Sequence, residues 1–132
     1  MDKNVEEKFV KIFIKKDKQD RILFELFSPK KRADAINKLS NLITDKYIIL
    51  CSSKTTDSEI LQIIQQEKDL KKCYFMSDRS IHDGEYMGYK DALKIVLYEA
   101  FTSVLIFNEN LVFLKDEAAM SSPLKIILRY RK

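Results

Sequence analysis

Residues 73–117 read CYFMSDRSIHDGEYMGYKDALKIVLYEAFTSVLIFNENLVFLKDE, and their interpretation decides the fold. The stretch holds both glycines of the chain, Gly84 and Gly88, and its single histidine, His82. Residues 73–76 form a short apolar run that predicts a strand. A polar, turn-rich segment follows, with Asp83-Gly84 as a turn dipeptide. Residues 89–101 then place Ala92, Leu93, Val96, Leu97 and Ala100 on one helical face. Residues 103–107 and 111–115 predict two strands joined by Asn108-Glu109-Asn110, because asparagine tolerates the left-handed conformations of a tight hairpin. Residues 124–130, LKIILRY, predict the last strand.

Toward the N-terminus, YIILC at residues 47–51 is an unbroken apolar run, which predicts a strand buried on both faces. Between it and residues 73–76 lies a helix signal. Thr56 with Glu59 three positions later has the capping-box spacing, and Ile60, Leu61, Ile63 and Ile64 follow. Strand, helix and strand within about 30 residues predict a right-handed βαβ unit with parallel strands. Residues 3–16 place Val5, Phe9, Ile12 and Phe13 at helical spacing, which favours a helix over the strand that FVKIFIKK alone would permit. A second apolar face is formed by Ile22, Leu23, Leu26 and Phe27. Ser28-Pro29 has the form of an N-cap followed by proline at the first helical position. The helix it would open carries Ala33, Ile36, Leu39 and Ile43 on one side. The expected architecture is a single α+β domain over residues 1–132. N-terminal helices precede a mixed sheet of about five strands, with the βαβ unit at one end and a C-terminal antiparallel hairpin and meander at the other.

The composition fits that expectation. A chain of 132 residues suits one domain, and at that size roughly two-thirds of the unfolded surface is buried, so the core needs no disulfide or metal. With 45% hydrophobic and 33% charged residues, the chain belongs to neither the disordered nor the membrane class. Its longest apolar runs, 47–51 and 104–107, fall far short of the ~20 residues of a membrane span. The opening MDKNVEEKF lacks the apolar centre of a signal peptide, so a cytoplasmic location with no membrane association is expected. Cys51 and Cys73 both lie in apolar stretches, where cysteine behaves as a small hydrophobe. Reduced core thiols and a reducing compartment are the expectation. Two cysteines and one histidine do not make a structural zinc set, and no metal is expected.

Several residues together resemble a family of small bacterial proteins of unknown function. They are SPKKR at 28–32, CYFMS at 73–77, Asp83-Gly84-Glu85, the helix with Ala92 and Leu93, and the closing tail over residues 124–131. The resemblance spans roughly residues 5–131. The chain departs from the family pattern at Asn108-Glu109-Asn110, where the family is richer in glycine and proline. The resemblance implies a fold and a bacterial origin; the family carries no established activity, and no site residue follows from it.

Two sets of residues are candidates for function. The first is the loop over 77–91, with Asp78, Arg79, His82, Asp83, Glu85 and Asp91. Leaving a strand at the carboxyl end of a parallel sheet, it would occupy the usual ligand position of open α/β folds. His82 with Asp83 or Glu85 has the chemistry of an acid–base pair near neutral pH, although adjacent residues such as His82 and Asp83 are poorly placed to orient each other. A catalytic thiol would need His82 as its base. The second set is basic. Residues 8–32 hold nine Lys or Arg against three acids, whereas residues 78–91 hold four acids against Arg79 and Lys90. Lys15, Lys16, Lys30, Lys31 and Arg32 are the phosphate-binding candidates, with Lys30, Lys31 and Arg32 expected in the first turn of the helix after Pro29. With only two glycines, neither a phosphate loop nor a dinucleotide fingerprint can be written, and no cofactor is expected. The leading expectation is a small non-enzymatic binding protein. It would act on another protein through the 77–91 loop, in the manner of immunity or antitoxin proteins. The alternatives are a nucleic-acid-binding regulator using the basic region and an enzyme built on the loop.

Overall fold

The computed structural model describes residues 1–117 and 122–131. Three helices come first: α1 (Lys3–Phe13), α2 (Gln19–Leu26) and α3 (Arg32–Leu42). Strand β1 (Ile48–Ser52), helix α4 (Asp57–Gln65), strands β2 (Lys72–Ser77) and β3 (Tyr86–Gly88) and helix α5 (Tyr89–Tyr98) follow. The chain closes with β4 (Ser103–Ile106), β5 (Leu111–Asp116) and β6 (Leu124–Arg129). The class is α+β, as expected, with helices first and a strand meander last.

Local chemistry accounts for most of these boundaries. The side chain of Asp2 caps α1 by accepting from the N–H groups of Asn4 and Val5. Thr56 and Glu59 form the reciprocal capping box at the start of α4, satisfying two backbone donors at the helix end. The β4–β5 turn is held by Asn108, whose Oδ1 accepts from the N–H groups of Asn110 and Leu111 at 2.8 and 2.9 Å. The third helix starts later than the Ser28-Pro29 signal suggests. The Ser28 carbonyl accepts from the N–H groups of Lys31 and Arg32 at 3.0 and 2.9 Å, closing a separate turn, and α3 begins at Arg32. Lys30 and Lys31 therefore precede the helix instead of occupying its first turn.

All six strands form one sheet in the order β1-β6-β5-β4-β2-β3, and every neighbouring pair is antiparallel. This corrects the expected mixed sheet and its βαβ unit. Strands β1 and β2 point the same way, but β6, β5 and β4 lie between them, so the α4 connection is a long crossover between non-neighbours. The sixth strand is β3, a short edge strand inside what the sequence suggested was a continuous loop.

The unbroken apolar runs that suggested parallel strands have another origin here. Both faces of the sheet are covered. Tyr74, Met76, Val104, Ile106, Val112, Leu114, Ile126 and Leu128 pack with Phe9, Phe13, Leu26 and Ile36 of the N-terminal helices. Their neighbours Cys73, Phe75, Leu105, Phe113 and Ile127 pack with Ile60, Ile64, Leu93 and Val96 of α4 and α5. Side chains alternate in direction along a strand, so a strand between two cores is apolar at every position whichever way its neighbours run. Of the apolar runs that suggested strands, the one at β1 fails this pattern. It is an edge strand, kinked by a register shift between Ile48 and Leu50, and Ile49 and Cys51 are exposed. Residues 47–51 are thus not buried on both faces, and of the two cysteines only Cys73 is a core thiol. The polar segment before Pro123 falls partly outside the described residues.

Two consequences are measurable. Phe113, fully buried on the central strand β5, is expected to cost about 3–5 kcal/mol when truncated to alanine, read as a lower urea midpoint at unchanged slope. Burial pushes the Cys73 thiol up to about 12 and, with the hydrogen bond to Glu6, also raises the Tyr74 phenol. Groups with raised folded values stabilise fully below their unfolded values and lose that contribution as pH climbs toward the folded ones. Urea stability is therefore expected to decline from about pH 9 upward, and Cys73→Val is expected to flatten the start of that decline.

Candidate interaction loop and its buried ion cluster

The segment between β2 and β3 is built around Asp83, which the sequence marks only as half of a turn dipeptide. Its carboxylate turns inward. It accepts from Arg32 Nε at 2.7 Å and Nη2 at 2.8 Å, and from the Ser77 N–H at 3.0 Å. The other side of the same guanidinium donates to both oxygens of Glu6, each at 2.7 Å, and to the Leu26 carbonyl at 3.0 Å. Glu6 has no solvent exposure and the Arg32 side chain only 11%. Two bidentate pairs share one planar cation, the geometry for which arginine is suited and lysine is not. Burial alone would lower the Arg32 value, but the hydrogen bonds it donates to Asp83 and Glu6 outweigh it, and the guanidinium is held well above its ordinary range.

The network continues outward from Glu6. The Tyr74 hydroxyl donates to Glu6 Oε2 at 2.6 Å and accepts from the Asp2 N–H at 3.0 Å. The Tyr86 hydroxyl donates to Asp2 Oδ2 at 2.6 Å, and that bond, with the helix-cap bonds, lowers the Asp2 value. Helices α1 and α3, strands β2 and β3 and the loop are thereby joined by charge-assisted hydrogen bonds. Glu6 is legible in the sequence after the fact. It lies three residues before Phe9 and seven before Phe13, on the face of α1 that is buried.

The loop itself is internally bonded. The Asp78 side chain, 4% exposed, accepts from the Thr102 N–H at 3.1 Å and from Asn37 Nδ2 at 3.1 Å. Ser77 Oγ donates to the Thr102 carbonyl at 3.1 Å and accepts from the Ser80 N–H at 3.2 Å. The Ser80 hydroxyl accepts from the His82 N–H at 3.2 Å. Gly84 donates its N–H to the Phe75 carbonyl at 2.7 Å at φ +83°, a left-handed conformation that favours glycine. Any β-carbon there would lie 3.4 Å from the Met1 Cα.

The sequence candidates therefore divide. Asp78 and Asp83 are inward and shape the loop. Arg79, with its side chain 72% exposed, and Glu85 face solvent. His82 is partly covered by Phe75, ring centroids 5.7 Å apart, and its Nδ1 lies 3.1 Å from Glu85 Oε1. Asp91 is exposed in the first turn of α5. One residue was missed: Ile81, 86% exposed at the loop tip. An isolated isoleucine in a polar run gives no periodic signal, so nothing in the sequence marks it. Of the thiol candidates, Cys73 is buried and its raised value disfavours the thiolate a nucleophile requires.

The basic candidates do not converge. Lys15 and Lys16 are exposed beside the C-terminal end of α3, where the Lys15 N–H donates to the Leu42 carbonyl at 2.8 Å. Lys30 and Lys31 are exposed at its other end, and Lys31 lies over the Phe24 ring, 5.2 Å from its centroid. An 11-residue helix separates its ends by roughly 16 Å. Arg32 is committed to the ion cluster. Among the described residues no helix is long and apolar enough to cross a membrane, and no group of three or more His, Cys, Asp or Glu is placed to hold a metal. No protein-family model matches the chain, and no curated protein or solved structure does so at significant similarity.

Arg32→Ala leaves Glu6 buried without its cation, and a loss of about 3–5 kcal/mol is expected in urea denaturation. Asp83→Ala is expected to cost less, since its side chain is 26% exposed and the Arg32–Glu6 pair survives. Equal stability of the Arg32→Ala and parent proteins would refute this account of the cluster.

Proposed function

We propose that the protein is a small, non-enzymatic bacterial binding protein that engages another protein through the loop over residues 78–85, in the manner of an immunity or antitoxin protein. The observation that supports this reading is the combination of exposure and restraint at the loop tip. Ile81 is 86% exposed on a backbone tied down on both sides, by Asp78 to Thr102 and by Asp83 to Arg32. Presenting a large apolar side chain to water is unfavourable, and rigid presentation lowers the ordering cost that binding would otherwise incur. Exposed Arg79 and Glu85, with the partly covered His82, lie within four residues of that anchor in the same loop and give the polar composition of an interface rim. The enzymatic alternative retains the contact of partly covered His82 with exposed Glu85. The nucleic-acid alternative retains Lys15, Lys16, Lys30 and Lys31 but loses Arg32.

The test is crosslinking in the native host with three proteins: the parent, Ile81→Asp and Phe24→Asp. Phe24 is also exposed, at 67%, but lies on α2. A protein captured by the parent and by Phe24→Asp but lost with Ile81→Asp is the expected result. With that partner purified, Ile81→Asp is expected to weaken affinity by about 30-fold or more, the scale of a central interface anchor, with no change in melting temperature. Equal capture by all three proteins would remove the basis of the proposal.

A further inference from the structure

A cavity of about 170 Å³ lies between α1 and the end of the sheet formed by β2, β3 and β4. Its walls include Phe9, Phe13, Ile106 and Phe107, all buried, with Val5 and Ile12 along α1. It opens partly to solvent, where Lys8, Lys72 and Glu109 form its rim, and its floor is apolar. Water has few partners against its apolar walls. The two phenol groups nearby are engaged elsewhere, Tyr74 with Glu6 and Tyr86 with Asp2, each at 2.6 Å. An apolar cavity of about 150 Å³ admits a benzene ring, so the volume here accommodates a single six-membered ring.

The polar groups of the lining restrict the ligand further. Lys8, Lys72 and Glu109 are exposed lining residues. Lys8 Nζ is 3.0 Å from Glu109 Oε1, an ion pair that connects α1 to the β4–β5 turn. Lys72 opens β2 on the same side of the strand as Tyr74 and pairs with no acid among the described residues. A ligand with a ring for the apolar walls and an anionic end for Lys72 meets both requirements. A cationic ligand would face two lysines, Lys8 and Lys72, against the single carboxylate of Glu109.

We propose that this cavity is a binding site for a single-ring aromatic carboxylate, with the ring among Phe9, Phe13 and Ile106 and the carboxylate at Lys72. The site shares no residue with the 78–85 loop and does not depend on the protein-binding reading.

The test is a methyl NMR titration of the full chain, following Val5, Ile12 and Ile106, with phenylacetate, toluene and benzylamine as probes. Phenylacetate is expected to shift these methyls saturably and to bind more tightly than toluene, with benzylamine weakest. Lys72→Gln is expected to weaken phenylacetate by about fivefold, the upper range for an exposed ion pair, and to leave toluene unchanged. Ile12→Phe and, separately, Val5→Phe place a ring in the space and are expected to abolish phenylacetate binding while the remaining spectrum stays native. The proposal is overturned if phenylacetate leaves the methyls unmoved or benzylamine binds equally well. Unchanged affinity in a folded, cavity-filled variant would overturn it too.

Discussion

One guanidinium is shared by two carboxylates at the junction of three parts of the molecule. Arg32 begins α3, Glu6 projects from the buried face of α1, and Asp83 belongs to the segment between β2 and β3. A charge so far removed from water is tolerable only when its hydrogen-bonding groups are satisfied. That condition is met on both edges of the guanidinium and by the Leu26 carbonyl. The requirement reaches beyond the three residues. To satisfy Arg32, α1 and α3 must lie side by side with their N-terminal ends together, and the loop must fold back toward them. The polar contact specifies an arrangement that apolar packing alone, being non-directional, leaves less determined.

The loop inherits its restraint from this cluster. Asp83 holds one flank and Asp78 the other, the latter through Thr102 and Asn37. Serine hydroxyls and the Gly84 backbone fill in between. Acidic residues that suggested a reactive or recognition surface are thus largely consumed in making a shape, and the solvent is left to Arg79, Ile81 and Glu85. Recognition, on this reading, falls to a side chain with no distinguishing chemistry, and the charged residues supply its support. The cavity beside α1 is bounded by Tyr74 and Tyr86 of the same hydrogen-bonded network, so the position of its walls also follows from the cluster.

The sheet illustrates a different constraint. Two helical layers clamp an antiparallel sheet, and the alternation of side chains along each strand divides the apolar residues between two cores. Edge strands escape this. Strand β1 exposes Ile49 and Cys51, and β3 is only three residues long. Short or kinked edges are a recognised way of discouraging further strand pairing.

Much of this was legible in local patterns, because local patterns reflect local physics. The capping box at Thr56, the helical faces of α1, α2 and α5, the asparagine turn between β4 and β5 and the α+β class all follow from spacings within a few residues. Strand order did not, since an apolar run reports that both faces are covered and says nothing of which strand lies beside it or in which direction. The sequence also marked Asp83 and Arg32 separately, one as a partner-binding acid and the other as a phosphate-binding base. Each is a charged residue in a polar stretch, and a chain read residue by residue gives no reason to pair positions 51 apart. That pairing was decided by tertiary structure alone, because the free energy that makes it favourable exists only where Glu6, Arg32 and Asp83 are removed from water together.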